Sequence, residues 1–457
     1  MTLNEKTIAA VATPAGVGGI ATLRVSGADA VEICDKAFVS VSGKKLTELK
    51  GYSAAYGKIY DKEQPVDEAV CLVFRAPHSY TGEDVVEITC HGGIFVMQKV
   101  LRVILDCGAV PAQAGEFSKR AFLNGKIDLS GAEGIMSIIN SQGEQGLSAS
   151  LNILEGSLSR KTDEINNSLL EICAHISAWV DYPDEEIEEI NEAEIIDTLK
   201  KSQCELQSLL DRFDSGMAVT TGVEAAIIGK PNAGKSTLMN LLTGYDRSIV
   251  TDVKGTTRDV VEETVNIDGC ILRLSDTAGI RETGDTVEKL GVERSREKIR
   301  RSAIVLAVFD SGDELTKEDI DLIELCRNKP VIPILNKNDK ENLIDKEYII
   351  STLGEPVIMS AKDGTGLQEL KDRVTTLLGT KNFDPNAAML ANERQRQCVI
   401  KALDSLKEAE NALMAGVTLD AAGVCIDDAV SALLELTGKK ASQAVVDKVF
   451  SNFCVGK

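Results

Sequence analysis

The chain has 457 residues, 43% of them hydrophobic and 26% charged, which at about 150 residues per domain suggests roughly three folded domains. Fifty basic residues face 71 acidic ones, so the net charge of −21 excludes a bulk basic surface for nucleic acid but leaves room for a local patch. Eleven scattered cysteines form no C-x-x-C pair, and His78, His91 and His175 lie too far apart for an H-E-x-x-H site. No apolar stretch reaches the 18 residues of a membrane span, so a zinc ribbon, a disulfide framework and a membrane protein are set aside. The setting expected is a reducing cytoplasm, with no membrane partner.

In chain order, the first 120 residues mix short strand-like runs with Gly and Pro turns. The runs are Ile20–Val25, Ala69–Phe74 and Val85–Thr89, followed by a helix-like stretch at 94–105, which together read as an α+β domain. From about 130 the period lengthens. Leu147, Leu151, Leu154, Leu158, Ile165, Leu169, Ile172, Ile176 and Trp179 recur at three-, four- or seven-residue steps, the apolar stripe of long amphipathic helices. That stripe stops at Tyr182-Pro183, before the acidic run DEEIEEINEAE, whose plainest reading is a solvated helix face. A second helical pattern is expected to close at Asp214-Ser-Gly216. Between 222 and about 380, strand and helix patterns alternate, which predicts βαβ units and a parallel sheet. After Asp384-Pro385 the helical period returns at Val399, Ala402, Leu406, Ala409 and Leu413. Two helical blocks thus flank an α/β block, and each needs a partner for its stripe. The arrangement predicts that they pack together and that the α/β block is an insertion.

The α/β block opens with Gly229-Lys-Pro-Asn-Ala-Gly234-Lys235-Ser236, which fits G-x-x-x-x-G-K-[ST] between a strand and a helix. Backbone N–H groups of such a loop curl around phosphates, Lys235 adds a point charge, and the Ser236 hydroxyl suits Mg²⁺. Asp276-Thr-Ala-Gly279 follows, 41 residues after Lys235 (276 minus 235), at the end of the strand-like ILRLSD. Its Asp can hold the metal through water, and Gly279 N–H can sense a γ-phosphate. Asn336-Lys337-Asn338-Asp339 follows the apolar run PVIPIL, and its Asp can accept both guanine N1–H and N2–H, a donor pair adenine lacks. Ser360-Ala361-Lys362 completes the set as the loop that packs on the base. Four ordered elements predict a GTP-binding domain.

One departure bears on the chemistry. Ras-like GTPases place a Gln just behind the Gly279-type glycine to orient the attacking water. Here Ile280 and Arg281 follow instead, and Glu282, Asp285, Glu288 and Glu293 are all candidates for that task. Upstream, Thr256 or Thr257, in Thr251-Asp-Val-Lys-Gly-Thr-Thr-Arg-Asp259, is expected to complete the Mg²⁺ shell.

At these residues the chain resembles the MnmE (TrmE) family of tRNA-modifying GTPases, over essentially its whole length. The resemblance is carried by GKPNAGKST, GTTRD, DTAG and NKND, and more specifically by TPAGVGGIATLRVSG, SYTGEDVVEITCHGG and EFSKRAFLNGKIDLSGAEGI. The terminal Phe453-Cys454-Val455-Gly456-Lys457 resembles the family's C-x-G-K ending, with Val455 where Ile or Leu is more usual; His78 stands where an Asn is expected.

The resemblance implies a Ras-like P-loop GTPase domain inserted into an all-α domain, with an N-terminal α+β folate-binding and dimerisation domain. The segments would be 1–121 (folate), 122–219 (first helical), 220–380 (GTPase) and 381–457 (second helical). GTP would be held by Asn232, Ala233, Gly234, Lys235, Ser236 and Thr237, then by Thr251, Asp252, Val253, Lys254, Gly255, Thr256 and Thr257. Asp276, Thr277, Ala278, Gly279, Asn336, Lys337, Asp339, Ser360, Ala361 and Lys362 would complete that shell. Ser236 and Thr257 would bind Mg²⁺; Asn232, Thr251, Val253 and Thr256 would bind a K⁺ ion standing in for an arginine finger. Glu288 would align the water. Arg24, Glu83, Lys126 and Lys457 would line a pocket for a tetrahydrofolate, such as the 5,10-methylene form, and Cys454 would be a catalytic thiol. The implied task is shared by a homodimer with the FAD-dependent MnmG (GidA): adding an aminomethyl or carboxymethylaminomethyl group to C5 of the tRNA wobble uridine. The competing reading is a regulatory RNA- or ribosome-assembly GTPase without modification activity, for which the N-terminal strings and Cys454 would be idle.

Overall fold

A computed structural model describes residues 6–181, 191–245, 262–276, 297 and 299–457, and these fall into two compact units. One unit joins residues 1–133 to 431–457, and the other spans 134–430.

In the first unit, seven strands form one sheet: β1 (Ile8–Val11), β2 (Ile20–Ser26), β3 (Phe38–Ser40), β4 (Ser53–Asp61), β5 (Gln64–Phe74), β6 (Val85–His91) and β7 (Val110–Pro111), in the order β3-β4-β5-β6-β2-β1-β7. Neighbours are antiparallel except β1 and β7. Successive strand residues point to opposite faces. One face therefore buries Leu23, Val25, Val86, Ile88, Cys71 and Val73 beneath the helices Ala30–Ala37 and Ile94–Asp106. The same alternation turns Thr22, Arg24, Glu87 and Thr89 to the other face, and the register sets Arg24 directly opposite Glu87. Helices Glu116–Leu123 and Gln443–Ser451 belong to this unit too, with the Phe450 ring 6.0 Å from Phe122 and 5.2 Å from Phe453. The terminal residues return to the sheet. Val455 bridges Ala114, and Gly456, at φ +97°, lies so close to Val11 that a Cβ would strike its carbonyl oxygen.

The second unit holds a six-stranded sheet and a set of helices. Its strands are β8 (Val223–Ile228), β9 (Glu262–Ile267), β10 (Cys270–Asp276), β11 (Ile304–Asp310), β12 (Val331–Asn336) and β13 (Val357–Ile358), ordered β13-β12-β11-β8-β10-β9. The sheet departs from the wholly parallel arrangement expected, since β9 runs antiparallel to β10. The physical cause is the Asp268-Gly269 turn: both residues have positive φ (+50° and +92°), the two-residue geometry that closes a hairpin.

Helix Glu192–Asp211, the second helical pattern rather than the striped segment before it, packs along Glu393–Met414, so the two helical blocks meet. Gln203 Nε2 donates to Leu406 O at 3.2 Å and Glu410 Oε2 at 2.9 Å across this seam. Two sequence expectations fail nearby. The stripe from 147 to 179 is not continuous: helix Glu144–Leu154 ends and Ser157–Asp181 begins after Gly156, at φ +84°. That break resets the phase. Leu147 and Leu151 are exposed, Leu154 is half-buried, and the first helix buries Gly146, Ala149, Ser150 and Ile153 instead. Leu158, Ile165, Leu169, Ile172 and Ile176 are buried as expected, whereas Trp179 is 37% exposed. Nor does Asp214-Ser-Gly216 close a helix, because Phe213–Thr220 is itself helical. Its glycine serves packing, since a Cβ there would meet Met389 Cε at 2.5 Å.

Truncating Leu206, fully buried on the Glu192–Asp211 helix, should lower unfolding stability by about 2–5 kcal/mol. Leu147→Ala should cost about 1 kcal/mol or less. Urea unfolding of the two variants checks the revised phase, and equal losses would contradict it.

Candidate functional site

The described nucleotide-site candidates gather at the C-terminal edge of the parallel strands, where β8 and β11 lead away to opposite sides of the sheet. Crevices at such switch points are where open α/β sheets bind ligands. β8 runs into the loop Gly229–Gly234, and helix Lys235–Tyr245 starts at its far end. β10 ends on Asp276, β11 on Asp310 and β12 on Asn336.

Asn336 joins the elements together. Its buried carboxamide donates from Nδ2 to Ala233 O at 2.9 Å and accepts at Oδ1 from Ala361 N at 2.9 Å. One side chain thus ties the phosphate loop to the base-packing loop. Gly234, at φ +99°, must lack a side chain, because a Cβ would collide with Asn336 Nδ2. Lys337 Nζ donates to Asn232 O at 2.6 Å and pairs with Asp310 Oδ2 at 2.6 Å. Ser360 Oγ lies 3.3 Å from Asp339 Oδ1 and 3.0 Å from Asp363 Oδ2, so its single O–H is shared between two carboxylates, one of them expected to read guanine. Lys235 Nζ donates to Gly229 O at 2.7 Å and Lys230 O at 2.9 Å, which keeps its ammonium inside the loop. Ser236 and Thr237 are exposed on the helix's first turn, and Lys362 is exposed beside Ala361.

Burial would raise the Asp310 carboxyl, yet the Lys337 ammonium and the Gly312 N–H outweigh it and hold the group below its ordinary value. Lys230 is likewise desolvated, and its ion pairs with Asp313 (3.1 Å) and Asp319 (3.5 Å) more than compensate, raising its value. Asp310 stands outside the sequence motifs, and Lys230 fills a variable position of the phosphate loop. The available signal was a carboxylate closing the buried run AIVLAVF. Thr251, Asp252, Val253, Lys254, Gly255, Thr256, Thr257, Thr277, Ala278, Gly279 and Glu288 lie outside the described residues, as do Glu282, Asp285 and Glu293.

The first unit carries a second cluster. Arg24 Nε and Nη2 donate to Glu87 Oε1 at 3.0 and 2.8 Å, and Nη1 donates to Gly456 O at 3.5 Å. The guanidinium carbon lies 5.0 Å from the Tyr80 ring centroid and 5.7 Å from that of Phe117. Lys457 stands close enough to Arg24 and Glu87 to feel both charges. Burial first, then Arg24, push its ammonium below its ordinary value, and Glu87 partly opposes them. The expected residues Arg24 and Lys457 are thus brought together, with Glu87 as their carboxylate.

Glu83 is engaged elsewhere. Its Oε2 accepts from Ser26 Oγ at 2.7 Å, and it pairs at 3.1 Å with Arg120, which also pairs with Glu116 at 2.9 Å. Lys126 is exposed, its Nζ donating to Pro77 O at 3.0 Å. Burial raises the Tyr80 hydroxyl, against the lowering effects of its 2.7 Å bond with Ser118 Oγ and of Arg24. Cys454 is exposed on the terminal segment, where its carbonyl accepts from Gly115 N at 3.3 Å.

Two family profiles match the chain: "GTP-binding protein TrmE N-terminus" over residues 7–126 and "MnmE helical domain" over residues 129–454. The "tRNA modification GTPase MnmE" of Clostridioides difficile is 39% identical over 456 residues, covering 99% of each chain. That of Alkaliphilus oremlandii is 39% identical over 460 residues, with 99% of each chain covered. The chain belongs to the MnmE family. Among solved structures, a point variant of Aquifex aeolicus Era bound to GDP·AlF4- is 28% identical, with 40% of this chain and 66% of that chain covered and a TM-score of 0.27. The MnmE N-terminal match contains the Arg24–Glu87 and Glu83–Arg120 pairs, and the helical match contains the nucleotide site and Cys454. No described helix is long and apolar enough to cross a membrane.

Asn336→Ala should weaken GDP binding at least about tenfold, because it strands a buried N–H on Ala361 and a carbonyl on Ala233. Fluorescence titration with a labelled GDP measures this, and an affinity within about twofold of wild type would remove the clamp from the account.

Proposed function

We propose that this chain is a potassium-activated GTPase acting in tRNA modification, and that its GTP-binding and one-carbon sites serve one task. With the flavin-dependent MnmG it would add an aminomethyl or carboxymethylaminomethyl group to C5 of the wobble uridine of certain tRNAs. It would work in the cytoplasm as a homodimer, with residues 1–121 as folate domain, 122–219 and 381–457 as helical domain and 220–380 as GTPase domain. The observation that carries the reading is that one chain combines a guanine-nucleotide cradle with the Arg24–Glu87–Lys457 cluster, in a family whose curated relatives are called tRNA modification GTPases.

At the nucleotide, Asp339 selects guanine, Lys235 meets the phosphates, and Ser236 with Thr257 would hold Mg²⁺. Asn232, exposed on the loop and presented at φ +65°, suits a cation site completed by Thr251, Val253 and Thr256. When bound, K⁺ would supply the positive charge that an arginine finger provides elsewhere, worth about 10³–10⁵ in rate. Glu288 would align the attacking water in place of the missing Gln.

The donor set of the other cluster fits a folate. Arg24 and Lys457 offer charge-assisted bonds to carboxylates, while Glu87 offers an acceptor to a pterin's N–H edge; Glu83, the acceptor expected from the sequence, is paired with Arg120 and Ser26. Tyr80, half-buried, adds an apolar wall, and Lys126 would add a cation at the rim. Such a folate would supply the one-carbon unit. Cys454, as thiolate, would attack uracil C6 and so raise the nucleophilicity of C5. At −21 the protein's own field repels tRNA, so MnmG would supply much of the basic surface.

Replacing K⁺ by Na⁺ should lower GTP turnover by at least about a hundredfold, given the charge the ion supplies. Equal rates would strip Asn232 of its role. Nucleoside mass spectrometry of bulk tRNA from cells lacking the protein, complemented with wild type or Cys454→Ser, tests the rest. Loss of C5-aminomethyl uridines, restored by wild type alone, is the expected outcome. Restoration by both variants demotes Cys454 to structure, and unchanged tRNA in the deletion favours an assembly GTPase.

A further inference from the structure

We propose that Asp310 is a positioning residue for the guanine nucleotide, acting through Lys337 on the backbone of the phosphate loop. The inference rests on Gly229–Ser236 being the nucleotide cradle. Asp310 ends β11 with only 6% of its surface exposed, and its carboxylate accepts from Lys337 Nζ at 2.6 Å and from Gly312 N at 3.0 Å. The same ammonium donates to Asn232 O at 2.6 Å. Both Asn232 and Lys337 carry a Cβ yet sit in the left-handed region, at φ +65° and +63°. Such a backbone persists only where its surroundings hold it, and the Asp310–Lys337–Asn232 relay spans both strained residues.

A second tie supports the same reading. Lys230, directly after Gly229, pairs with Asp313 and Asp319. Asp319 is itself fixed as the acidic half of the capping box with Thr316. The segment 310–319 therefore braces the phosphate loop at two points, directly through Lys230 and indirectly through Lys337. Asp310 differs from the other carboxylates because its partner lysine also belongs to the base-reading loop. A buried carboxylate keeps that ammonium aimed at the Asn232 carbonyl rather than free to turn toward solvent.

The test is a double-mutant cycle on the full chain, reading the affinity for N-methylanthraniloyl-GDP with magnesium in wild type, Asp310→Asn, Lys337→Met and the double variant. Asp310→Asn should weaken binding about tenfold, the scale of a charge-assisted hydrogen bond. In the Lys337→Met background the same change should leave affinity within about twofold, or tighten it, since it removes a carboxylate that has lost its ammonium. A similar loss in both backgrounds would overturn the relay and make Asp310 merely structural. The preference for GDP over IDP should also stay within about twofold in Asp310→Asn, because Asp339 is held by Ser360. A collapsed preference would likewise overturn it. Should Asp310→Asn fail to fold, Asp310→Ser carries the same cycle. Wild type that does not bind the probe would remove the nucleotide reading itself, a different failure.

Discussion

The buried carboxamide of Asn336 is the constraint on which the nucleotide site depends. It commits both of its polar atoms to backbone, one on the phosphate loop and one on the base-packing loop. Two loops 103 and 25 residues away in sequence are thereby fixed to one strand end. A buried amide also tolerates misplacement poorly, because an unpaired polar atom in a low-dielectric interior is costly. Gly234 is the complement of that constraint, leaving the space that the carboxamide fills.

The two units use the same device, a cation held by carboxylates, most of them buried or half-buried. In the sheet-based unit, Arg120 is 3% exposed and compensated by Glu83 and Glu116, and Arg24 is compensated by Glu87. Desolvating such ions is unfavourable, and pairing offsets most of that cost without guaranteeing a net gain. What pairing does secure is position. Arg24 cannot rotate freely while its guanidinium bonds Glu87 and lies against Tyr80 and Phe117. In the other unit, Lys230 and Lys337 are placed by Asp313, Asp319 and Asp310. A protein carrying a charge of −21 has ample carboxylates for this purpose.

The cluster around Arg24 also explains why the terminal segment and the first strands belong to one unit. Val455 pairs with Ala114, Gly456 passes against Val11, and its carbonyl accepts from Arg24. This sets Lys457 beside Glu87 while leaving Cys454 exposed. The last residues thus join the site in two ways: by backbone, through Val455 and the Gly456 carbonyl, and by the Lys457 ammonium.

Local chemistry was legible in the amino-acid order. The phosphate loop, the Asn336–Asp339 run, the Ser360-Ala361-Lys362 loop, the strands around Arg24 and the helical period after 393 could all be read there, because motif spacing and 2- or 3.6-residue periodicity are local properties. Which residues share a site was a matter for the packed chain. Glu87 rather than Glu83 faces Arg24 because the β2–β6 register is set by burying Leu23, Val25, Val86 and Ile88, a non-local choice. Asn336 meets the phosphate loop directly, and Asp310 reaches it through Lys337, because β8, β11 and β12 lie side by side in an order the chain does not follow. Leu147 and Leu151 face outward because a single glycine at 156 resets a helical phase that looked continuous on paper. Pattern records what each segment can bury; only packing settles which neighbour it buries it against.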